Sequence, residues 1–177
     1  MFKTNFFLNP KRKDETSNQS LFKKVLFLIK KKIAWVWVYL GFVNINYSYI
    51  HGDKKRLILG KGCSTMNSIF NVISGKIIIG DNTIFGHSCM VLTGTHNFKN
   101  GKRISLDNNY DDKDETPSFG RDIIIGSGCF IGSGVIIIGP LEIEDNVIVG
   151  SGSIVTKSLK KGMFYAGNPA KKIKSIG

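Results

Sequence analysis

Apolar residues recur every six positions through the last third of the chain. From Ile125 to Lys160 the sequence divides into IGSGCF, IGSGVI, IIGPLE, IEDNVI, VGSGSI and VTKSLK, and every hexad opens on Ile or Val: Ile125, Ile131, Ile137, Ile143, Val149 and Val155. A strand alternates its faces every two residues and a helix repeats near 3.6, so neither yields a strict six. A short flat side followed by a corner does. The opening residue points inward, and a second inward position follows four residues on, at Cys129, Val135, Leu141, Val147, Ser153 and Leu159. Gly, Asn and Ser fill the corners, where the backbone needs φ > 0. Three such sides close a triangular coil of about 18 residues, and coils stack into a solenoid. The strands of an ordinary sandwich do not hold such a phase.

The same phase predicts an upstream block. Ile73, Ile79, Phe85 and Val91 open hexads, with Ile77, Thr83, Cys89 and Thr95 as the second inward positions. The fragment LGKGCS at Leu59 is two residues out of phase, so the first coil is irregular. Between the blocks, Asn97 to Phe119 is polar, carries the acidic run DDKDE (Asp111 to Glu115) and lacks the repeat. It reads as a loop thrown out from one corner, and loops of this length in a compact domain are commonly functional. The fold class expected is all-β, a parallel β-helix over residues 57–177.

Charge is unevenly spread. Residues 1–56 hold 12 of the 25 basic and 3 of the 13 acidic side chains, so most of the net +12 belongs to the N-terminal segment. Residues 1–20 read as a polar, poorly ordered arm. Residues 21–56 read as an apolar and basic helical segment, rich in Leu, Phe, Val, Trp and Lys. Its run IAWVWVYLGFV (Ile33 to Val43) is too short to span a bilayer. Two roles fit it: packing over the first coil, or lying on an anionic membrane surface with Lys23, Lys24 and Lys30 to Lys32 at the lipid headgroups. Nucleic acid is not expected as a partner, because the aromatics are interleaved with aliphatics rather than set on a polar platform. The three cysteines (Cys63, Cys89, Cys129) share the inward hexad position and no CxxC occurs. They read as core residues of a cytoplasmic protein, and no metal is expected.

Three motifs then carry a resemblance. LTGTHNF (Leu92 to Phe98) stands at the mouth of the loop; CFIGSGVII (Cys129 to Ile137) is followed one coil later by VGSGSIVTK (Val149 to Lys157); YAGNPAKKIK (Tyr165 to Lys174) lies near the end. Over roughly residues 57–175 the chain resembles the hexapeptide-repeat acyltransferases, left-handed β-helix enzymes. The nearest branch is that of the maltose and galactoside O-acetyltransferases and the acetyltransferases of capsule and exopolysaccharide assembly. The resemblance implies acetyl-CoA as co-substrate, a sugar or glycan hydroxyl as acceptor, and a homotrimer with CoA held in grooves between subunits. It also implies a cytoplasmic site of action, at the inner face of the membrane if the N-terminal segment binds lipid.

Acyl transfer to a hydroxyl needs a base, oxyanion donors and alignment of both reactants. Of the three histidines, His96 lies beside the loop and matches the catalytic TGxH position of the family. His87 falls mid-corner in FGHSCM, and His51 precedes the first clear coil. The resemblance further assigns Asn71 to the acceptor, with Asn97 beside it. It assigns Phe130 (often Trp in relatives), Ser133, Ser151, Thr156, Lys157, Lys171 and Lys174 to CoA, the lysines suiting its phosphates. Gly139-Pro140 inverts the Pro-Gly that relatives often carry. Three other functions share this fold: N-acetylation of an amino sugar nucleotide or other small amine, a three-histidine metal site of the carbonic anhydrase type, and a silent scaffold. Histidine spacing disfavours the second, and His96 with the lysine tail disfavours the third.

Overall fold

The inward column of the hexads dictates how the chain winds. In the computed structural model, which describes residues 47–104 and 115–177 and positions 29, 32, 33 and 36, all six opening residues from Ile125 to Val155 are buried. So are the six residues four positions on. The chain divides into two units, Met1–Asn44 and Ile45–Gly177. In the first, Ile29, Lys32, Ile33 and Val36 are helical and exposed. The whole arm over 1–20 and the rest of the apolar run lie outside the described residues.

The second unit is a stack of triangular coils with three parallel sheets for sides. Side I comprises β2 (Leu57–Leu59), β4 (Ile77–Ile79), β9 (Ile123–Ile125) and β12 (Leu141–Ile143). Side II comprises β5 (Ile84–Phe85), β10 (Phe130–Ile131), β13 (Ile148–Val149) and β15 (Met163–Ala166), with β16 (Lys171–Ser175) added antiparallel to β15. Side III comprises β1 (Tyr49–His51), β3 (Ile69–Asn71), β6 (Met90–Leu92), β11 (Ile136–Ile138) and β14 (Ile154–Val155). The chain visits I, II and III in turn. Ile123 pairs with Leu141, Phe130 with Ile148 and Ile136 with Ile154, each an 18-residue step.

Two corners of every full coil use left-handed backbone. Asn146 (φ 55°) stacks over Gly128 (φ 66°), and a Cβ on Gly128 would lie 2.6 Å from the Asn146 Oδ1. Glycine is therefore needed there twice over, for its φ and for the space the asparagine fills. Inside the stack, Thr83 Oγ1 donates to the Gly126 carbonyl at 2.7 Å and accepts from the Cys129 N–H at 3.1 Å. That satisfies two backbone groups the side chains would otherwise strand in the core. Cys89 and Cys129 are buried and unpaired, and burial pushes both thiols above their ordinary pKa.

Several expectations shift. Among the described residues the strands begin at Tyr49 rather than at 57, so Tyr49–His51 and the 3₁₀ turn Lys54–Arg56 are not part of a helical segment running to 56. His51 does not precede the coils; it lies on the outer face of β1. Ile73 does not open a hexad: it is half-buried, while Val72 and Ser74 are buried. The cause is the first coil's length. Val91 stacks on Phe70, 21 residues back, so counting in sixes lands on the wrong residue. Thr95 is likewise half-buried, and Thr93 is the last inward residue before the chain leaves the coil. The loop lies between Leu92 and Ile123, and its described part includes a hairpin of β7 (Phe98–Lys99) and β8 (Lys102–Arg103) that the sequence analysis did not anticipate.

Candidate active site at the neck of the loop

Thr93 anchors the departing limb of the loop. Its N–H and hydroxyl both donate to the Asn71 carbonyl, at 3.0 and 2.8 Å, and its Oγ1 accepts from the Ser74 N–H. Gly94 follows, and a Cβ there would meet the Asn71 amide at 2.6–3.0 Å. The absence of that side chain leaves room for the Asn71 amide against the departing limb. Asn71 Oδ1 meanwhile accepts from the Ile73 N–H at 3.0 Å, holding the corner after β3. Asn71 thus has a structural duty whatever else it contacts.

His96 comes two residues later, with its side chain 53% exposed. Its Nδ1 lies 3.5 Å from Glu115 Oε1, and Glu115 is only 18% exposed. Arg103 Nε stands 4.0 Å from the same oxygen. The limbs are joined beside this pair by the Asn97 N–H, which donates to the Glu115 carbonyl at 2.8 Å, while the Ile104 N–H donates to the Asn97 carbonyl at 3.0 Å and closes the hairpin. A carboxylate facing Nδ1 favours the tautomer with the proton on that nitrogen and leaves Nε2 as the acceptor. At 3.5 Å the contact is longer than a strong hydrogen bond. The arrangement can therefore accept a proton at Nε2 while a fixed negative charge faces the other nitrogen.

Glu115 was not singled out in the sequence. It was visible only as the last residue of an acidic run, and its partner is 19 positions away across a loop. The hairpin did leave a signal: Asn100-Gly101, both at φ > 0 (51° and 74°), is the dipeptide that closes two-residue hairpins.

The remaining candidates fall into two groups. Thr156 and Lys157 follow β14 at the corner between sides III and I, the same corner from which the loop leaves lower in the stack. Phe130 lies on the outer face of side II, 48% exposed, between Ile84 and Ile148. Ser133 and Ser151 lie at the corner between sides II and III, where Ser133 Oγ accepts from the His87 N–H. A Cβ on Gly132 would meet Ser151, so these corners are closely stacked. Lys171 and Lys174 are exposed on β16, opposite Ala166 and Phe164. Lys174 also borders a groove of about 350 Å³ lined by Ile148, Phe164, Ser175, Ile176 and Gly177. The two groups flank side III, whose outer face shows Tyr49, Ile69, Met90 and Ile138. His87 is exposed at the other corner, away from His96. Among the described residues no group of three or more His, Cys, Asp or Glu could hold a metal ion, and no helix among them is long and apolar enough to cross a membrane.

Residues 122–157 match the family described as bacterial transferase hexapeptide (six repeats). The chain is also similar to solved structures. A maltose O-acetyltransferase from Clostridium difficile 630 is 30% identical with a TM-score of 0.58, covering 72% of this chain and 64% of that one. A galactoside acetyltransferase in complex with coenzyme A is 27% identical, TM-score 0.53, over 73% and 60%. The polysialic acid O-acetyltransferase OatWY is 28% identical, TM-score 0.54, over 68% and 54%. The chain spans less than half the length of the first curated relatives it matches, 44%, 10% and 20%. The fold is the left-handed parallel β-helix, the coils as expected from the hexads and the hand as implied by the resemblance.

Proposed function

We propose that the chain is a hexapeptide-repeat acetyltransferase that transfers the acetyl group of acetyl-CoA to a hydroxyl of a sugar within a surface polysaccharide. What carries the reading is the His96–Glu115 pair at the loop neck, with one imidazole nitrogen facing a carboxylate and the side chain half open to solvent. Similarity to a maltose, a galactoside and a polysialic acid O-acetyltransferase supports a sugar acceptor. A galactoside acetyltransferase seen with coenzyme A supports the donor.

In this mechanism His96 Nε2 takes the proton of the acceptor hydroxyl as its oxygen attacks the thioester carbonyl. The imidazolium so formed faces Glu115, whose charge stabilises it. The tetrahedral adduct collapses by breaking the C–S bond, and the leaving thiolate takes the proton back from His96. Asn71 and Asn97 flank the acceptor. Phe130, Ser133, Ser151, Thr156, Lys157, Lys171 and Lys174 hold CoA, with lysines at its phosphates. The active form is a homotrimer. Its support is the exposed apolar outer faces of sides II and III, which a single coil stack leaves to water. The enzyme works in the cytoplasm, against the inner face of the membrane where the N-terminal segment meets anionic lipid.

The test is His96→Ala, followed by release of free CoA thiol. Turnover falls by roughly 10²–10⁴, the usual contribution of a general base. A variant that turns over like the wild type overturns the assignment of the base.

A further inference from the structure

The two limbs of the loop are each held by one arginine, and neither arginine touches His96 or Glu115 in the contacts described above. Arg121 stands on the returning limb, one residue before the coil resumes. Its Nε donates to the carbonyl of Thr93 on the departing limb at 2.8 Å, and its Nη2 donates to the carbonyl of Gly139 one coil on. The Arg121 N–H donates to the Ser74 carbonyl at 3.2 Å. Arg56, from the first coil, reaches the same limb. Its Nη1 donates to the carbonyls of Ser118 and Ile73, both at 2.8 Å, and of Val72 at 3.3 Å. Its guanidinium lies 5.0 Å from the centre of the Phe119 ring.

Thr93 is three residues before His96, and Ser118 is three residues after Glu115. We infer that Arg121 and Arg56 form a clamp at the base of the loop that positions His96 against Glu115. The catalytic half of this inference rests on the His96 reading above. The physical ground is the planar guanidinium fork, which can serve two diverging carbonyls at once and loses little freedom in doing so; a lysine ammonium cannot copy that geometry. A long loop closes its own neck only weakly, so the distance between its limbs depends on cross-ties. Here the cross-ties join the departing limb, the returning limb and three successive coils. Both arginines are positioning residues, because they act through the backbone on either side of the pair.

The test uses the full-length protein with Arg121→Met, Arg121→Lys and Arg56→Met. Hydrogen exchange is read at Asn97, whose N–H crosses the neck to Glu115, and at Phe130 and Ile136 as coil references. Protection at Asn97 drops at least about tenfold in both Met variants while Phe130 and Ile136 keep theirs. Turnover falls about tenfold with KM for acetyl-CoA within twofold, since neither arginine bonds to a residue assigned to CoA. Arg121→Lys recovers part of both. Wild-type protection at Asn97 overturns the clamp, and so does equal loss at all three amides, which marks a purely structural role. Lost protection with unchanged turnover overturns the positioning role. If the wild-type protein transfers no acetyl group, the functional reading fails, and exchange at Asn97 still decides whether the clamp exists.

Discussion

Replacing Glu115 with Gln removes one charge and almost no volume. The amide still offers an oxygen toward His96, so the ring loses an electrostatic partner rather than a packing one. At the observed 3.5 Å, full charges at an effective dielectric constant of about 20 would interact by about 5 kcal/mol, which is a ceiling. Ion pairs on open surface contribute about 0.2–1 kcal/mol, which is a floor. His96 is 53% exposed and Glu115 18%, so the pair falls between, nearer the floor because water reaches one partner freely. About 1.5–2.5 kcal/mol of transition-state stabilisation follows, or a loss of about 10–70-fold in kcat. The assay is steady-state release of CoA thiol with both substrates saturating, repeated near 1 M salt, where the Debye length is about 3 Å and the wild-type advantage shrinks. KM for acetyl-CoA stays put. If Glu115→Gln turns over within twofold of wild type while His96→Ala is dead, the carboxylate does nothing for the base and the pair is merely structural.

Lys171→Ala and Lys174→Ala raise KM for acetyl-CoA and spare kcat, because the phosphates lie far from the reacting carbon; a fall in kcat with KM unmoved assigns these lysines elsewhere. Thr83→Val keeps the shape of a fully buried side chain but strands the Cys129 N–H and the Gly126 carbonyl, lowering stability by about 2 kcal/mol and Tm by about 4–8 °C; an unchanged melting curve contradicts that account of the core. The basic and apolar sequence over residues 21–43 binds anionic vesicles reversibly and less tightly as salt rises. Co-sedimentation of the full chain and of a chain lacking residues 1–32 checks this, and a full chain that stays in the supernatant at low salt contradicts it.

Much of the fold was legible because each hexad repeats one packing problem. Ile131 and Val149 meet the same neighbours one coil apart, so the sequence restates the answer six times. Legibility failed where the repeat was interrupted. Ile73 was misassigned because the first coil carries extra residues, which a count in sixes cannot register. The Asn100-Gly101 hairpin had its local signal but lay inside a stretch read as featureless polar loop. His96 stood out by residue type and position beside the loop. Glu115 did not, since nothing in an acidic run says which carboxylate folds back onto a histidine. Arg121 and Arg56 were invisible for a related reason: their partners are backbone carbonyls, which every residue has.

The central claim, acetyl transfer from acetyl-CoA to a sugar hydroxyl, is tested most directly by mass spectrometry of products from a panel of mono- and oligosaccharides incubated with acetyl-CoA and the full-length protein. The account predicts a single acetyl group added through oxygen to at least one sugar, with hydroxylamine removing it and His96→Ala slowing its addition by roughly 10²–10⁴. Acetylation only of amino sugars, in a form that resists hydroxylamine, would contradict the hydroxyl acceptor and favour the N-acetyl alternative.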